Sequence, residues 1–161
     1  MNLNNINALD EAGFLRCCGA HHWATWINAQ RPFASVDCVL RAAAEGEASL
    51  TRSDWLEAFA AHPRIGDTDN LRRKFATTAE WNHSEQAGVA GAADDVIQDL
   101  ADGNRDYEDR FGYLFIVCAT GKSAAEMRSI LRARLSNDPE TELRIAAAEQ
   151  AKITRLRLEK A

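Results

Sequence analysis

Three side chains in this sequence have the type and placement that acid–base chemistry on a small anionic molecule requires: His62, Glu85 and Arg157. His62 closes the run "DWLEAFAAH" and stands directly before Pro63. A residue before proline is pushed out of the α region, so a helix over this run stops there. The end of a helix favours a cation, which raises the pKa of an imidazole and suits a proton donor working near neutral pH. The same placement also describes a histidine that merely closes a turn. Glu85 lies three residues after Asn82, the spacing of a capping box, and reads equally as a cap or as a rigidly held carboxylate beside a reacting group. On a helical wheel Arg157 falls with Leu143, Ala146 and Ile153 on a mainly apolar stripe that also includes Gln150. Arg155 points about 160° away at 100° per residue. An arginine on such a stripe either snorkels to the surface or anchors an anion.

Other histidines carry less. Adjacent His21 and His22 diverge on any helix and read as a surface turn. His62, Asp67, Asp69 and His83 follow no zinc or iron ligand spacing, so no metal is expected. The four cysteines form no Cys-x-x-Cys pair. They read as small buried hydrophobes of a reducing compartment.

The elements that must position these residues read as helices throughout. Helix formers dominate, and prolines occur only at 32, 63 and 139. "ALDEAGFLRCC" predicts a short helix closed near Gly19, and "RPF" at 31–33 a break. Ser35 caps a helix to about Glu45. Thr51 or Ser53 opens the next, with Trp55, Phe59 and Ala60 on one face. "GDTDNLRRKF" reads as a polar connector or short helix. Ser123 and Glu126 form a capping box ahead of Met127, Ile130, Leu131 and Leu135. A last helix starts at Asp138 with Pro139 in its first turn and runs close to the C-terminus. The apolar run "FGYLFIVCA", 111–119, has no partner strand and is read as a buried helix kinked at Gly112. The expectation is all-α, a single multi-helix domain over 1–161.

Composition agrees. The chain has 161 residues, 46% of them hydrophobic, enough for a core that buries roughly 70% of the unfolded surface. Net charge is −5, with no basic stripe for nucleic acid. The longest apolar run is about nine residues against about 20 for a membrane span. The polar N-terminus lacks the regions of a signal peptide, and the C-terminus is not a peroxisomal address. A cytoplasmic protein is expected.

Taken together, four blocks resemble one family. "HPRIG", the "EQ" about twenty residues on, "RFGYLFIVCATGK" and "AAAEQAKITRLRL" are similar to 2-oxo-4-hydroxy-4-carboxy-5-ureidoimidazoline (OHCU) decarboxylases, and "CCGAHHWATWINAQRPF" resembles their N-terminal part. The blocks follow the family's order from about Leu3 to Leu158. The resemblance implies an all-helical, cofactor-free homodimer that converts a small-molecule ureide, OHCU, to (S)-allantoin and CO2 in urate breakdown. It places the catalytic histidine on His62, followed by substrate-contacting Pro63, and "EQ" on Glu85 and Gln86. It places the substrate-binding segment on Phe115, Ile116, Val117, Cys118 and Ala119, and the C-terminal arginine on Arg157, the residue the wheel singles out. Two positions depart from the pattern. Asn82 stands where the family has serine, yet can cap and donate a hydrogen bond, and is kept as a substrate contact. Leu114 replaces a proline. The competing classes are a non-catalytic helical binding module and a metal-dependent hydrolase of cyclic amides.

Overall fold

Side-chain caps start most of the helices of the computed structural model, which describes residues 1–63 and 87–161. The Asn2 side chain accepts from Asn4 and Asn5 N–H and opens α1, Leu3–Ala8. Asp10 accepts from Gly13 N–H at 2.7 Å and opens α2, Glu11–Cys18. α3 is His21–Ala29. Ser35 caps α4, Val36–Ala48, and Thr51 caps α5, Arg52–Ala60, in a full capping box with Asp54. α6 is Ala87–Phe111. The predicted box of Ser123 and Glu126 opens α7, Ala124–Leu135, and Asp138 accepts from Thr141 N–H at 2.9 Å at the start of α8, Pro139–Lys160. Every regular element among the described residues is a helix, so the all-α reading holds. None is long and apolar enough to cross a membrane.

The chain divides into two compact units: 1–62 with 116–118 and 144–161, and 63–115 with 119–143. In the first, α1 to α5 and most of α8 enclose Ile6, Phe14, Trp23, Ala24, Ile27, Val39, Ala43 and Leu158. Trp23 is fully buried and donates its indole N–H to the Ala43 carbonyl at 3.0 Å, and Trp26 does the same to Ala42. These bonds satisfy the polar end of each ring while its apolar body packs α3 on α4. In the second unit α6 packs on α7. Arg128 and Arg132 of α7 both reach Asp99, at 3.3 and 2.6 Å. A buried polar node links α6, α7 and the start of α8: Glu142 accepts from Arg134 Nε at 2.8 Å, from the Tyr107 hydroxyl and from Asn137 Nδ2 at 2.8 Å. Burial and the adjacent carboxylate push the Tyr107 phenol far above its usual range.

Four local expectations are corrected. The N-terminal helical stretch is two helices, because Leu9 is extended (ψ 139°) and Asp10 caps anew. On α5 the buried partner of Phe59 is Ala58, while Ala60 is exposed; Trp55 stacks on Phe59 at 6.2 Å. His21 and His22 lie in the first turn of α3, not in a surface turn. Each faces its own carboxylate, Glu57 at 2.5 Å and Asp54 at 3.3 Å. The run 111–119 is not a helix: α6 ends at Phe111, and 114–119 is irregular. Gly112 takes a φ of +79°, a left-handed conformation that ends a helix and that only glycine adopts at little cost. The apolar run is then buried as an irregular segment with Tyr113, Phe115, Ile116 and Cys118 inside.

Candidate functional site

His62 is set by the end of α5. Ala61 closes the helix, and His62 N–H donates to the Phe59 carbonyl at 3.2 Å, the last bond before Pro63. The imidazole is half-buried and Pro63 exposed. Behind this corner lies the end of α2. Gly19 has φ +95°, and a Cβ there would come within 2.7 Å of Ala61 Cβ and 3.1 Å of the Ala58 carbonyl. Only glycine lets the two helix ends approach this closely. Two sets of terminal carbonyls therefore share one region, and their partial negative charge favours cations there.

Helix α8 reaches the same region with a row of side chains. The buried positions recur every fourth residue: Glu142, Ala146, Gln150, Thr154 and Leu158. A four-residue repeat drifts about 40° per step on a helix, so the row winds; of the wheel's stripe, Ala146 and Gln150 lie on the row, while Leu143, Ile153 and Arg157 fall on its half-buried flank. Gln150 is fully buried. Its amide donates to the Cys18 carbonyl at 3.0 Å and to Thr154 Oγ1 at 3.3 Å, and its Oε1 lies 2.6 Å from His62 Nε2. Two turns on, Arg157 Nη1 donates to the Cys17 carbonyl at 3.1 Å and the Arg16 carbonyl at 3.3 Å. Arg157 is half-buried, whereas Arg155 is exposed and paired with Glu159 at 3.1 Å. The guanidinium thus completes the last turn of α2 with one nitrogen; Nε and Nη2 bond no group among the described residues.

Burial sets the titration of the neighbours. The Cys18 thiol is pushed up to about 11 and that of Cys17 is also raised, so neither is a thiolate nucleophile near neutral pH. Glu47 of α4 is pushed up to about 7 by burial alone. None of the four cysteines is in a disulfide.

The segment 115–119 is held from both ends. Cys118 N–H donates to Glu149 Oε2 at 2.7 Å, and Lys152 pairs with the other oxygen of Glu149 at 2.5 Å. Phe115 packs edge-on against Tyr107 at 5.2 Å, with the Arg134 guanidinium 4.7 Å from its ring centre. Phe115, Ile116 and Cys118 are buried, and Val117 and Ala119 are half-buried. Of the residues singled out in the sequence, His62 and Arg157 come to the shared end of α2 and α5. Asn82, Glu85 and Gln86 lie outside the described residues, as do Asp67, Asp69 and His83. No cluster of three metal-ligating side chains occurs among the described residues. Sequence reasoning assigned no role to Gln150 or Glu149; the signal for Gln150 was its register with Glu142, eight residues before it, and Thr154, four after it, in "ETELRIAAAEQAKIT".

Known proteins match this chain over nearly all of its length. The family model described as OHCU decarboxylase covers residues 7–159. A crystal structure of OHCU decarboxylase in the presence of (S)-allantoin superposes with a TM-score of 0.75 at 35% identity, covering 94% of this chain and 97% of that one. The uric acid degradation bifunctional protein TTL of Arabidopsis thaliana is 38% identical over 146 residues, 89% of this chain, which spans 44% of that protein's length. The 2-oxo-4-hydroxy-4-carboxy-5-ureidoimidazoline decarboxylase of Haloferax volcanii is 26% identical, with 98% of this chain and 94% of that protein covered. By its helices, by its sequence from end to end and by the solved structure it superposes on, the chain belongs to the OHCU decarboxylase family.

Proposed function

We propose that the chain decarboxylates OHCU to (S)-allantoin and CO2, with His62 as proton donor. The observation that carries the reading is an imidazole held at a stopped helix end by a buried amide, in a chain of this family. OHCU bears a carboxylate and a hydroxyl on one ring carbon. When the bond to the carboxylate breaks, its electron pair passes into the neighbouring ring C=N bond and leaves an enol between the hydroxyl-bearing carbon and the ureido-bearing one. Protonation of the ureido-bearing carbon from one face, as the enol hydroxyl gives up its proton and becomes the new carbonyl, then gives the chiral product. The imidazolium of His62 supplies that proton and regains one from water. The substrate's own ring C=N bond accepts the electrons, so the step needs no metal or cofactor.

The other roles follow from residue chemistry. Glu85 is assigned the carboxylate that favours the imidazolium or bonds the substrate hydroxyl. Arg157 offers Nε and Nη2, a planar fork that suits an anionic oxygen. Gln86 and Asn82 read the ring and ureido amides, and Pro63 and the 115–119 segment shape the apolar wall that strengthens these charge interactions. The match over 7–159 supports reading 1–161 as one such domain, acting as a cytoplasmic homodimer. The test mixes the protein with freshly generated OHCU and follows its decay and the optical activity of the allantoin. Accelerated decay with a single enantiomer supports the proposal, and decay at the spontaneous rate overturns it.

A further inference from the structure

We infer that Gln150 is a positioning residue for His62: its carboxamide holds the imidazole as the Nε2–H tautomer and makes Nδ1 the nitrogen that takes up and delivers the proton. The inference deepens the proposed function and rests on its reading of His62 as the proton donor. It begins with the orientation of the amide. The Cys18 carbonyl can only accept, and it lies 3.0 Å from one end of the Gln150 amide, so that end is the NH2 group. The second N–H of that group meets Thr154 Oγ1 at 3.3 Å. The other end is therefore the oxygen, and it lies 2.6 Å from His62 Nε2. An amide oxygen only accepts, so Nε2 must carry a hydrogen. It carries one in both the neutral and the charged ring, which leaves the exchange of a proton to Nδ1.

The anchor is rigid. Gln150 has no exposed surface, so water cannot replace its bonds. The carbonyl that accepts from it, that of Cys18, ends a helix whose neighbouring carbonyls are tied by Arg157 and whose next residue, Gly19, sits against Ala58 and Ala61. The chain that carries His62 and the side chain that orients it are thus referenced to the same helix end. A ring free to flip would present the wrong nitrogen part of the time, and a wrong tautomer is costly to any histidine acting as an acid.

The test uses the full chain with 15N-labelled histidine. The His62 resonances are assigned by their loss in His62→Asn and read above the pH at which the ring is neutral. The expected spectrum has a protonated Nε2 and an unprotonated Nδ1; a neutral ring protonated at Nδ1 overturns the inference with Gln150 unchanged. Gln150→Leu is expected to abolish the tautomer preference and to lower kcat about tenfold or more with a smaller change in KM. Gln150→Glu keeps an acceptor on Nε2 and is expected to keep the tautomer. A Gln150→Leu protein with unchanged tautomer and kcat, beside a His62→Asn protein that has lost turnover, overturns this inference and leaves the proposed function standing. Unchanged turnover in His62→Asn overturns the proposed function itself.

Discussion

At the scale of single residues, the corner at His62 combines a stopped helix, a proline and a buried hydrogen-bond partner. His62→Asn is expected to keep the fold, since asparagine tolerates helix ends, and to slow OHCU turnover about 10²–10⁴-fold. Circular dichroism and the decay assay check the two halves. Glu85→Gln preserves a capping box, so slower turnover at an unchanged melting temperature separates a chemical role from a cap. Glu47 belongs to stability. Burial raises its folded pKa to about 7, above the unfolded carboxylate value, so the folded state holds the proton more tightly. The associated stability is present below the unfolded pKa and lost as pH rises through about 7. Glu47→Gln removes the charge. It is expected to be more stable than the parent by about 1–3 kcal/mol at about pH 8 and equal to it near pH 4, as read from urea midpoints.

At the scale of elements, α8 does most of the positioning. Its four-residue row of buried side chains holds Glu142 in the Arg134 and Tyr107 node, Gln150 beneath His62, and Thr154 beside Cys18. A single wheel drawn at 100° per residue blurs such a winding row, so the stripe read from the sequence mixes its flank, with Arg157, and its centre, with Gln150, and leaves Gln150 without a role. The contrast between the arginines survives. Arg157→Ala removes charge-assisted bonds to two α2 carbonyls and is expected to cost about 1–3 kcal/mol in thermal or urea unfolding, with a fall in activity. Arg155→Ala breaks an exposed pair with Glu159 and is expected to cost about 0.5 kcal/mol or less. Equal, small effects would refute the assignment. The segment 111–119 shows the opposite failure. A short apolar run is compatible with a buried helix or a buried extended chain. What decides is the left-handed Gly112, together with Glu149, which takes up the Cys118 N–H that an irregular segment must satisfy.

At the scale of the whole molecule, the proposed homodimer motivates a direct measurement. Light scattering at micromolar concentration is expected to give twice the 17.8 kDa chain mass; a clean monomer would refute it. The family match runs nearly the length of the chain, so the family assignment rests on the entire sequence and on no one motif.

Several features follow from the sequence alone, because local chemistry settles them. The caps at Ser35, Thr51, Ser123 and Asp138 start helices where predicted, since a short polar side chain satisfies amide donors within its own turn. The stop at His62 follows from Pro63, and the all-α class from composition and the lack of any partner strand. Tertiary structure alone decided what surrounds these elements. Gln150 is 88 residues from His62 and 132 from Cys18, and no local rule links residues so far apart. Their meeting depends on how closely Gly19 lets α2 approach α5, and on which side of α8 is excluded from water at that point. That is a matter of packing, and packing is determined only when the chain is closed on itself.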